Sequence, residues 1–492
     1  MRVESFLLES ARRFPAKTAL VAGPQRLSYE ELAQRASAFA AHLASKGLQR
    51  GDRVVIFLQN SPEAVTAVFG TLLAGGIFSV VNPGTKSDKL AYILNHCAAK
   101  VLVTEPRLQA IAHDARERAP AVVTTVVAPF NFQPAAVPNP GIDLDVAMIV
   151  YTSGSTGFPK GVTMTHANIV AAATSITTYL ESKESDVVLS VLPLAFDYGL
   201  YQALMCAKVG ATLILEKSFT YPAVVLEKLK NERVTGFPLV PTLAAMLLQM
   251  KHLTPGMFPD LRYLTNTAAA LPRAHIERLR DLFPQAKLYS MYGLTECKRC
   301  TYLPPEQLAI RPESVGIAIP GTEAYVVDEQ GERVPPGTTG ELVIRGAHVM
   351  KCYWNDDAAT SRVLKSGPYP WEKVLHTGDL FRTDTEGFLY FVSRKDDIIK
   401  TRGEKVSPKE VENVLYELAG IREAAVIGVP DPLLGMAIKA IVAAEEGVTE
   451  RDVIRHCAAR LEDFMVPSIV EFRGQLPKSE NGKIARKELA AA

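Results

Sequence analysis

One stretch of the sequence decides the fold: VAMIVYTSGSTGFPKG, residues 146–161. Its first five residues form a short apolar run, the pattern of a buried strand. The next eleven, YTSGSTGFPKG, hold three glycines, one lysine and a cluster of hydroxyl side chains. Glycines let a backbone approach an anion closely, while N–H, hydroxyl and ammonium groups donate hydrogen bonds to it. The stretch therefore predicts a polyphosphate site. Its candidate residues are Thr152, Ser153, Gly154, Ser155, Thr156, Gly157 and Lys160.

This loop differs from the Walker A loop of many nucleotide-binding proteins. The pattern GxxxxGK[ST], begun at Gly154, needs a second glycine where Pro159 stands. Gly161 also occupies the place of the hydroxyl residue that would hold magnesium. The alternative is an ordinary surface turn, because clusters of Ser, Thr and Gly are common in loops. We favour phosphate binding.

The chain on either side of this loop alternates between strand and helix patterns. Residues 54–58 and 101–104 are short apolar runs, and Ser61-Pro62-Glu63 is a typical helix start. Such alternation favours an α/β fold with layered, largely parallel sheets. The four prolines within residues 129–140 predict a surface connection before the decisive strand.

The pattern changes after about residue 320, where short strands alternate with turns and predict a β-rich subdomain. A polar run follows at residues 393–410, and Ser407 with Glu410 predicts a capping box at the start of a helix. We therefore expect an N-terminal domain at 1–393, a hinge at 394–396 and a small α+β domain at 397–492.

Composition excludes several classes of protein. The 492 residues include 54 Lys and Arg against 53 Asp and Glu, so no basic patch for nucleic acid is indicated. No apolar run reaches the roughly 18 residues of a membrane span, and the N-terminus lacks a signal-peptide pattern. A cytoplasmic enzyme is expected. Cys297 and Cys300 form a CxxC pair, but a structural zinc needs about four ligands, so we favour two reduced thiols near a pocket.

Four further motifs accompany the glycine-rich loop. They are YGLTE at 292–296, TGD at 377–379, RKD at 394–396 followed by Lys400 and Gly403, and PKSENGK at 477–483. Together with the loop they resemble the adenylate-forming superfamily of acyl-CoA synthetases, adenylation domains of nonribosomal peptide synthetases, and luciferases. The resemblance covers nearly the whole chain. It implies a large N-terminal domain of two α/β subdomains and one β-rich subdomain, followed by a small mobile α+β domain.

The resemblance implies a reaction. ATP would activate a carboxylic acid to an acyl adenylate with release of pyrophosphate, and the acyl group would then pass to a thiol. Lys483 would be the catalytic cation that contacts the carboxylate and the α-phosphate. Thr295 would hydrogen-bond the α-phosphate, and Glu296 would hold Mg²⁺, a hard ion that prefers carboxylate oxygen.

The remaining motif residues imply nucleotide and thiol contacts. Tyr292 would stack on adenine, and Asp379 would bind the ribose hydroxyls with help from Arg394. Asp396 matches the hinge about which the small domain rotates between the two half-reactions. In the second arrangement, Lys400 and Gly403 would line a tunnel for the thiol arm.

Substrate identity rests on the segment LPLAFDYG, residues 192–199. Many acyl-CoA synthetases have LPLFHxxG here, with His in place of Phe196. Phe196-Asp197 instead resembles the FD pair of amino-acid adenylation domains, in which the Asp pairs with the substrate ammonium. A carboxylate in such a pocket must be paired. Asp197 would pair either with a substrate amine or with a protein cation such as Arg299, and we favour an acid that is not an amino acid. Further candidate pocket residues are Tyr198, Tyr201, Met291 and Cys300.

The thiol acceptor is open between coenzyme A and the phosphopantetheine of an acyl or peptidyl carrier protein. Nothing resembling a carrier domain follows Lys483, so the acceptor is expected to be a separate molecule. An acyl-CoA synthetase is the favoured hypothesis, and a free-standing adenylation enzyme that loads an amino acid or acyl group onto a carrier protein is the alternative. A non-catalytic binder is disfavoured because Lys160, Glu296, Asp379 and Lys483 are all present.

Overall fold

The structure, a computed structural model, describes most of the chain. The described residues are 1–133, 141–152, 159–250, 252–267, 269–401, 404–431, 435–478 and 484–491. Only the backbone is described at 396, 400, 405, 435, 487, 490 and 491. Several predicted site groups therefore lie outside the described residues: Ser153, Gly154, Ser155, Thr156, Gly157, Gly403, Lys483 and the side chains of Asp396 and Lys400.

Helices and strands alternate along the described chain and are numbered here in chain order. The helices are α1 (Ser5–Arg13), α2 (Tyr29–Ser45), α3 (Pro62–Leu73), α4 (Ser87–His96), α5 (Gln109–Glu117), α6 (His166–Tyr179), α7 (Asp197–Val209), α8 (Pro222–Asn231), α9 (Pro241–Leu248), α10 (Arg273–Leu282), α11 (Asp357–Val363), α12 (Pro408–Glu417), α13 (Glu450–Ala458) and α14 (Arg486–Ala491). Single turns of 3₁₀ helix lie at Pro106–Leu108, Pro305–Gln307 and Lys395–Asp397.

Within the described residues, the strands form four sheets. They are β1 (Thr18–Ala22), β2 (Gln25–Ser28), β3 (Arg53–Ile56), β4 (Ile77–Val80), β5 (Val101–Thr104), β6 (Thr124–Val127), β7 (Val146–Thr152), β8 (Lys160–Thr165), β9 (Val187–Ser190), β10 (Thr212–Leu215), β11 (Gly236–Leu239), β12 (Tyr263–Asn266), β13 (Lys287–Tyr292), β14 (Thr301–Leu303), β15 (Ile317–Ala318), β16 (Thr322–Val327), β17 (Gly340–Gly346), β18 (Cys352–Tyr353), β19 (Leu364–Ser366), β20 (Lys373–Thr383), β21 (Leu389–Arg394), β22 (Ile399–Thr401), β23 (Glu404–Val406), β24 (Ile421–Asp431), β25 (Gly435–Ala444) and β26 (Ile469–Phe472).

Two of these sheets are the α/β layers that the alternation predicts. One has nine strands in the order β15-β14-β13-β12-β11-β9-β10-β1-β2, and its inner strands are parallel. The other has seven strands in the order β18-β8-β7-β4-β3-β5-β6, with parallel pairing from β7 to β6. Many of their central strands, such as β4, β5 and β10, are buried along their whole length, as expected for strands covered on both faces.

The other two sheets are antiparallel over most of their pairings. Strands β16, β17, β20 and β19 pair in that order, β21 pairs with β20, and this is the predicted β-rich subdomain. The last sheet has the order β23-β22-β25-β24, with β26 on β25, and it packs with α12 and α13 around its own core. The chain is thus an α/β protein with a large N-terminal part and a smaller α+β C-terminal part.

The helix starts show how far local sequence decides local structure. Ser61 caps α3 as predicted, because its hydroxyl accepts a hydrogen bond from the Ala64 amide. The predicted capping box at Ser407 is wrong. The Ser407 hydroxyl instead donates to the carbonyl of Val392 at 2.6 Å and makes no cap bond. Helix α12 still begins at Pro408, since proline is well suited to a first helical position.

The described part of the proline-rich connection is more than a surface link. Exposed residues alternate there with Phe130 and Phe132, which are half-buried and pack against the main core. The Phe130 ring lies 4.8 Å from that of Phe39, and Phe132 stacks on His42 at 3.8 Å.

Among the described residues no helix has the length and apolar character needed to cross a membrane.

Candidate active site

The glycine-rich loop joins the two strands of a hairpin. Strand β7 ends at Thr152, β8 begins at Lys160, and these two residues face each other across the antiparallel pair. Strand β18 pairs with the other edge of β8 and brings the Tyr353 ring to 5.2 Å from the Lys160 ammonium. The described ends of the predicted phosphate loop are therefore fixed by a sheet, with an aromatic ring beneath the lysine.

Glu296 lies next to this hairpin. The Tyr353 hydroxyl donates a 2.6 Å hydrogen bond to Glu296 Oε1, and the Met350 amide donates to the Glu296 carbonyl at 2.8 Å. Burial raises the pKa of Tyr353, and the neighbouring carboxylate adds to the shift, so this hydroxyl stays a donor. Lys160 and Glu296 thus approach each other through Tyr353, a residue that the motifs do not contain.

A second cluster joins Tyr292, Asp379 and Arg394. The Tyr292 hydroxyl donates to Asp379 Oδ2 at 2.5 Å, and Arg394 Nε lies 3.1 Å from Oδ1 of the same carboxylate. The Asp379 side chain is only 4% exposed, whereas that of Arg394 is 57% exposed. Burial first, and then the charge of Asp379, raise the pKa of Tyr292 well above its usual range. Two donors therefore hold one buried carboxylate in place.

Backbone geometry positions Asp379. Gly378 has a φ of +73°, which glycine adopts without strain, and its amide donates to Glu341 Oε1 at 2.9 Å. The Thr377 hydroxyl accepts from the Asp379 amide at 3.1 Å. Burial acts to raise the pKa of Glu341, but hydrogen bonds from His376, Lys395 and Gly378 outweigh it and bring that pKa to about 2. The TGD motif is thus an irregular strand segment anchored by a glutamate that is ionised at neutral pH.

The YGLTE segment folds back on itself after β13. A Cβ on Gly293 would lie 1.7 Å from the carbonyl oxygen of Lys298, so no other residue fits this turn. Lys298, at φ +63°, donates from Nζ to the carbonyl of Thr295 at 2.9 Å. The turn therefore places Thr295 and Glu296 close to the end of the strand that carries Tyr292.

The partner of Asp197 is a protein cation, but not the predicted one. Lys298 Nζ lies 3.7 Å from Asp197 Oδ2, and the Lys298 side chain is fully buried. Burial lowers the pKa of Lys298, while the charge of Asp197 acts against that shift. Arg299, which we named as an example of the partner, makes no ion pair with Asp197. The reason is that Lys298 and Arg299, although consecutive in this turn, point to different neighbours.

Arg299 instead lies over aromatic rings. Its guanidinium carbon is 4.5 Å from the centroid of Tyr198 and 5.8 Å from that of Tyr201. The Tyr198 hydroxyl is held by Thr265, whose Oγ1 lies 2.6 Å away. Phe196 meets Tyr198 edge to face at 6.2 Å. The predicted pocket residues from α7 and from the turn after Glu296 therefore do come together.

Met291 and the two cysteines have packing contacts. Met291 Sδ accepts from the Tyr179 hydroxyl at 2.9 Å. Cys297 and Cys300 are buried free thiols, and Cys300 Sγ lies 3.6 Å from the carbonyl oxygen of Tyr292. Burial, with Cys297 beside it, raises the pKa of Cys300. No group of three or more metal-ligating side chains was found in the part of the chain that the structure describes.

The predicted hinge separates two sets of ion pairs. Lys395 Nζ lies 2.7 Å from Glu341 Oε2 in the β-rich sheet. Two residues later, Asp397 Oδ2 lies 3.3 Å from Arg486 Nη1, and Arg486 also pairs with Glu412 of α12 at 2.7 Å. The chain thus changes partners within a single 3₁₀ turn, from the N-terminal part to the C-terminal part.

Three residues of the site were missed from sequence: Tyr353, Lys298 and Glu341. Lys298 could have been suspected, since it stands beside Arg299 in the same turn. Tyr353 and Glu341 have no motif around them, and only the pairing of β18 with β8 and of β17 with β20 brings them to the site.

Comparison with known proteins agrees with this geometry. A model of the AMP-binding enzyme family matches residues 7–354, and a model of the AMP-binding enzyme C-terminal domain matches residues 410–483. The chain belongs to the AMP-binding enzyme family. This confirms the resemblance to adenylate-forming enzymes that the motifs indicated.

The relatives cover the chain almost completely. It is 32% identical to a long-chain-fatty-acid–CoA ligase of Bacillus subtilis, over 99% of this chain and 94% of that protein. It is 33% identical to a feruloyl-CoA synthase of Amycolatopsis, over 99% of this chain and 98% of that one. Among solved structures, ATP-bound MatB from Rhodopseudomonas palustris superposes with a TM-score of 0.91 at 28% identity, over 100% of this chain and 99% of that chain.

Proposed function

We propose that the protein is an AMP-forming acyl-CoA synthetase. It activates a carboxylic acid with ATP to an acyl adenylate, releases pyrophosphate, and transfers the acyl group to coenzyme A. The observation that carries this proposal is the meeting of Tyr292, Asp379 and Arg394 at the end of β13. The turn after β13 carries Thr295 and Glu296, and Tyr353 links Glu296 to Lys160 of the β7–β8 hairpin. The relatives that are CoA ligases support the same activity and support coenzyme A as the acceptor.

The cluster around Asp379 suits a nucleoside. A buried carboxylate already oriented by Tyr292 and Arg394 accepts hydrogen bonds from ribose hydroxyls without reorganising. The Tyr292 ring, at the end of β13, offers a face for adenine. The donors of the glycine-rich loop, with Thr152 and Lys160 at its ends, suit the phosphates, and Thr295 suits the α-phosphate.

Glu296 fits a magnesium ligand. Its carboxylate oxygens are hard ligands, Tyr353 orients one of them, and within the described residues no cation pairs with it. Mg²⁺ bound there would neutralise phosphate charge during the attack.

The reaction needs positioning and charge neutralisation more than proton transfer. A carboxylate oxygen attacks the α-phosphorus, and the bond to pyrophosphate breaks. Lys483, outside the described residues, supplies the positive charge between the two anions. In the second step the coenzyme A sulfur attacks the acyl carbonyl, AMP leaves, and the thiol proton passes to solvent.

The two steps call for two arrangements of the small domain. We assign residues 1–393 to the N-terminal domain, 394–396 to the hinge around Asp396, and 397–492 to the C-terminal domain. The change of ion-pair partners between Lys395 and Asp397 supports a hinge there. After rotation, Lys400 and Gly403 would line the tunnel for the thiol arm.

The Asp197–Lys298 pair supports an acid that lacks an α-amine. The carboxylate that would otherwise bind a substrate ammonium already has a buried lysine as partner.

A carrier-protein phosphopantetheine presents the same thiol arm as coenzyme A and is the alternative acceptor.

Pyrophosphate release measured across a panel of carboxylic acids tests the first step. Mass spectrometry of the products with coenzyme A, and in parallel with a phosphopantetheinylated carrier protein, tests the second. We expect release with at least one acid and a CoA thioester. Tight ATP binding without turnover of any acid would contradict the proposal.

A further inference from the structure

Arg299 is a buried cation with no anionic partner among the described residues. It is only 3% exposed, and its Nε is buried without a hydrogen-bond partner. A guanidinium does not lose its proton in a protein, so this side chain cannot relieve its burial by becoming neutral. Leaving such a charge unpaired is costly. Its position therefore calls for an anion supplied by something that binds there.

The surroundings of Arg299 do not remove the need for an anion. The rings of Tyr198 and Tyr201 stabilise the cation in part, through contacts of 4.5 and 5.8 Å. Asp197, the carboxylate in this pocket, is engaged by Lys298. The Tyr201 hydroxyl is itself buried without a partner, which adds a second donor beside the guanidinium.

These groups belong to the predicted acyl pocket rather than to the nucleotide cluster. Tyr198 and Tyr201 lie on α7, directly after Phe196 and Asp197, and Arg299 lies three residues beyond Glu296. An anion held by Arg299 would thus be part of the acid, at the end remote from the carboxylate that reacts with ATP.

We propose that the acid activated by this protein carries a second carboxylate, which pairs with Arg299. This inference rests on the proposed function and gives it a substrate class, dicarboxylic acids that leave as monothioesters. Arg299 is a specificity-determining residue in this proposal.

The test is a substrate panel on the full-length wild-type protein. Straight-chain dicarboxylic acids of three to six carbons are compared with monocarboxylic acids of the same length, by pyrophosphate release and by CoA thioester formation. We expect kcat/KM for the best diacid to exceed that of its monoacid counterpart by about 100-fold or more, because a site built around a buried polar group rejects the analogue that lacks its partner.

Variants then assign the preference to Arg299. Arg299→Met keeps a long side chain without charge, and we expect it to lose most of the diacid preference, chiefly through KM for the acid. Arg299→Lys keeps the charge and should retain part of it. Arg273→Met, on the exposed face of α10, is the matched control and should behave as wild type. Thermal melting of each variant shows that it is folded.

Each contrary result has a distinct meaning. Turnover of monoacids with no preference for diacids would overturn the inference and leave the proposed function standing. A diacid preference that Arg299→Met does not change would overturn the assignment to Arg299. No pyrophosphate release with any acid would instead contradict the proposed function, and the inference with it.

Discussion

Tyr292 and Asp379 are joined by a 2.5 Å hydrogen bond, although they lie 87 residues apart and on different sheets. Tyr292 ends a strand of the nine-stranded sheet, and Asp379 lies on β20 of the β-rich sheet. The bond therefore fixes the β-rich subdomain against the larger α/β layer at the point where we place the nucleoside.

Asp379→Asn should weaken nucleotide use strongly. The asparagine amide has one acceptor oxygen and an NH₂ donor, so it cannot accept at both positions as the carboxylate does. Hydrogen bonds to charged groups are worth roughly 1.5–3 kcal/mol each. We expect kcat/KM for ATP to fall by about 100-fold or more. Tyr292→Phe keeps the ring and loses one bond, so a fall of about tenfold or less is expected. Steady-state kinetics with varied ATP measures both, and equal effects of the two changes would argue against a ribose contact at Asp379.

Lys483→Ala should separate the two half-reactions. We expect it to abolish adenylate formation from acid and ATP while leaving thioester formation from synthetic acyl-AMP within about tenfold of wild type. Lys478→Ala removes a lysine of the same motif that pairs with Glu423, and it serves as the control. Pyrophosphate release and thioester yield are the two measurements. Equal loss of both steps in Lys483→Ala would refute the two-arrangement mechanism.

Asp197→Asn should destabilise the protein by leaving the Lys298 ammonium buried without its carboxylate. A loss of up to about 3 kcal/mol in the free energy of unfolding is expected. Adding Lys298→Met should recover much of it, and urea unfolding of the single and double variants measures the difference. Asp197→Ala should leave the selectivity between acids unchanged. If it selectively abolished activation of amino acids, Asp197 would have to be assigned to a substrate amine.

Stability should fall in mild acid because of buried histidines. Burial lowers the pKa of His348 to about 4, below the roughly 6.5 of an unfolded chain. Between these values the unfolded state binds the proton and the folded state does not, so stability is complete above about pH 6.5 and is lost as pH falls towards 4. The difference between the two pKa values corresponds to a loss of about 3 kcal/mol in the free energy of unfolding.

Urea unfolding at a series of pH values measures how the free energy of unfolding depends on pH. His348→Gln should reduce the pH dependence only in part, because a second histidine adds to it. Burial, and after it the charge of Arg2, lowers the pKa of His166 to about 4, so its protonation destabilises the folded protein over the same pH range. His113→Gln, at an exposed position on α5, is the control. An unchanged pH dependence in His348→Gln would show that folding does not lower the pKa of this histidine.

Local patterns predicted much of the layered fold, because apolar runs that form buried strands and hydroxyl residues that cap helices are visible in short stretches of sequence. The run at 101–104 is a buried strand, and Ser61 caps its helix. Ser407 failed as a cap because a carbonyl from β21, 15 residues away, competes for its hydroxyl. Phe130 and Phe132 could not be placed from their proline-rich surroundings, since their partners lie on α2.

For the site as well, the motif residues could be predicted from the sequence, whereas contacts that depend on the fold could not. The motifs named Tyr292, Asp379 and Arg394, and the structure brings these three together. The pairing of Asp197 with Lys298 rather than with Arg299 depends on the direction of two adjacent side chains within one tight turn, which sequence spacing does not encode. Tyr353 reaches Glu296 only because the two-residue strand β18 adds to the edge of β8.

The site draws on three sheets: Lys160 belongs to the seven-stranded sheet, Tyr292 to the nine-stranded sheet and Asp379 to the β-rich sheet. A nucleotide that contacts all three would act as a non-covalent cross-link between them. Affinity for it then becomes a property of how the sheets are assembled, so a substitution in the packing between sheets can weaken binding without touching the ligand. Conversely, the bound nucleotide would make separate layers unfold as one unit.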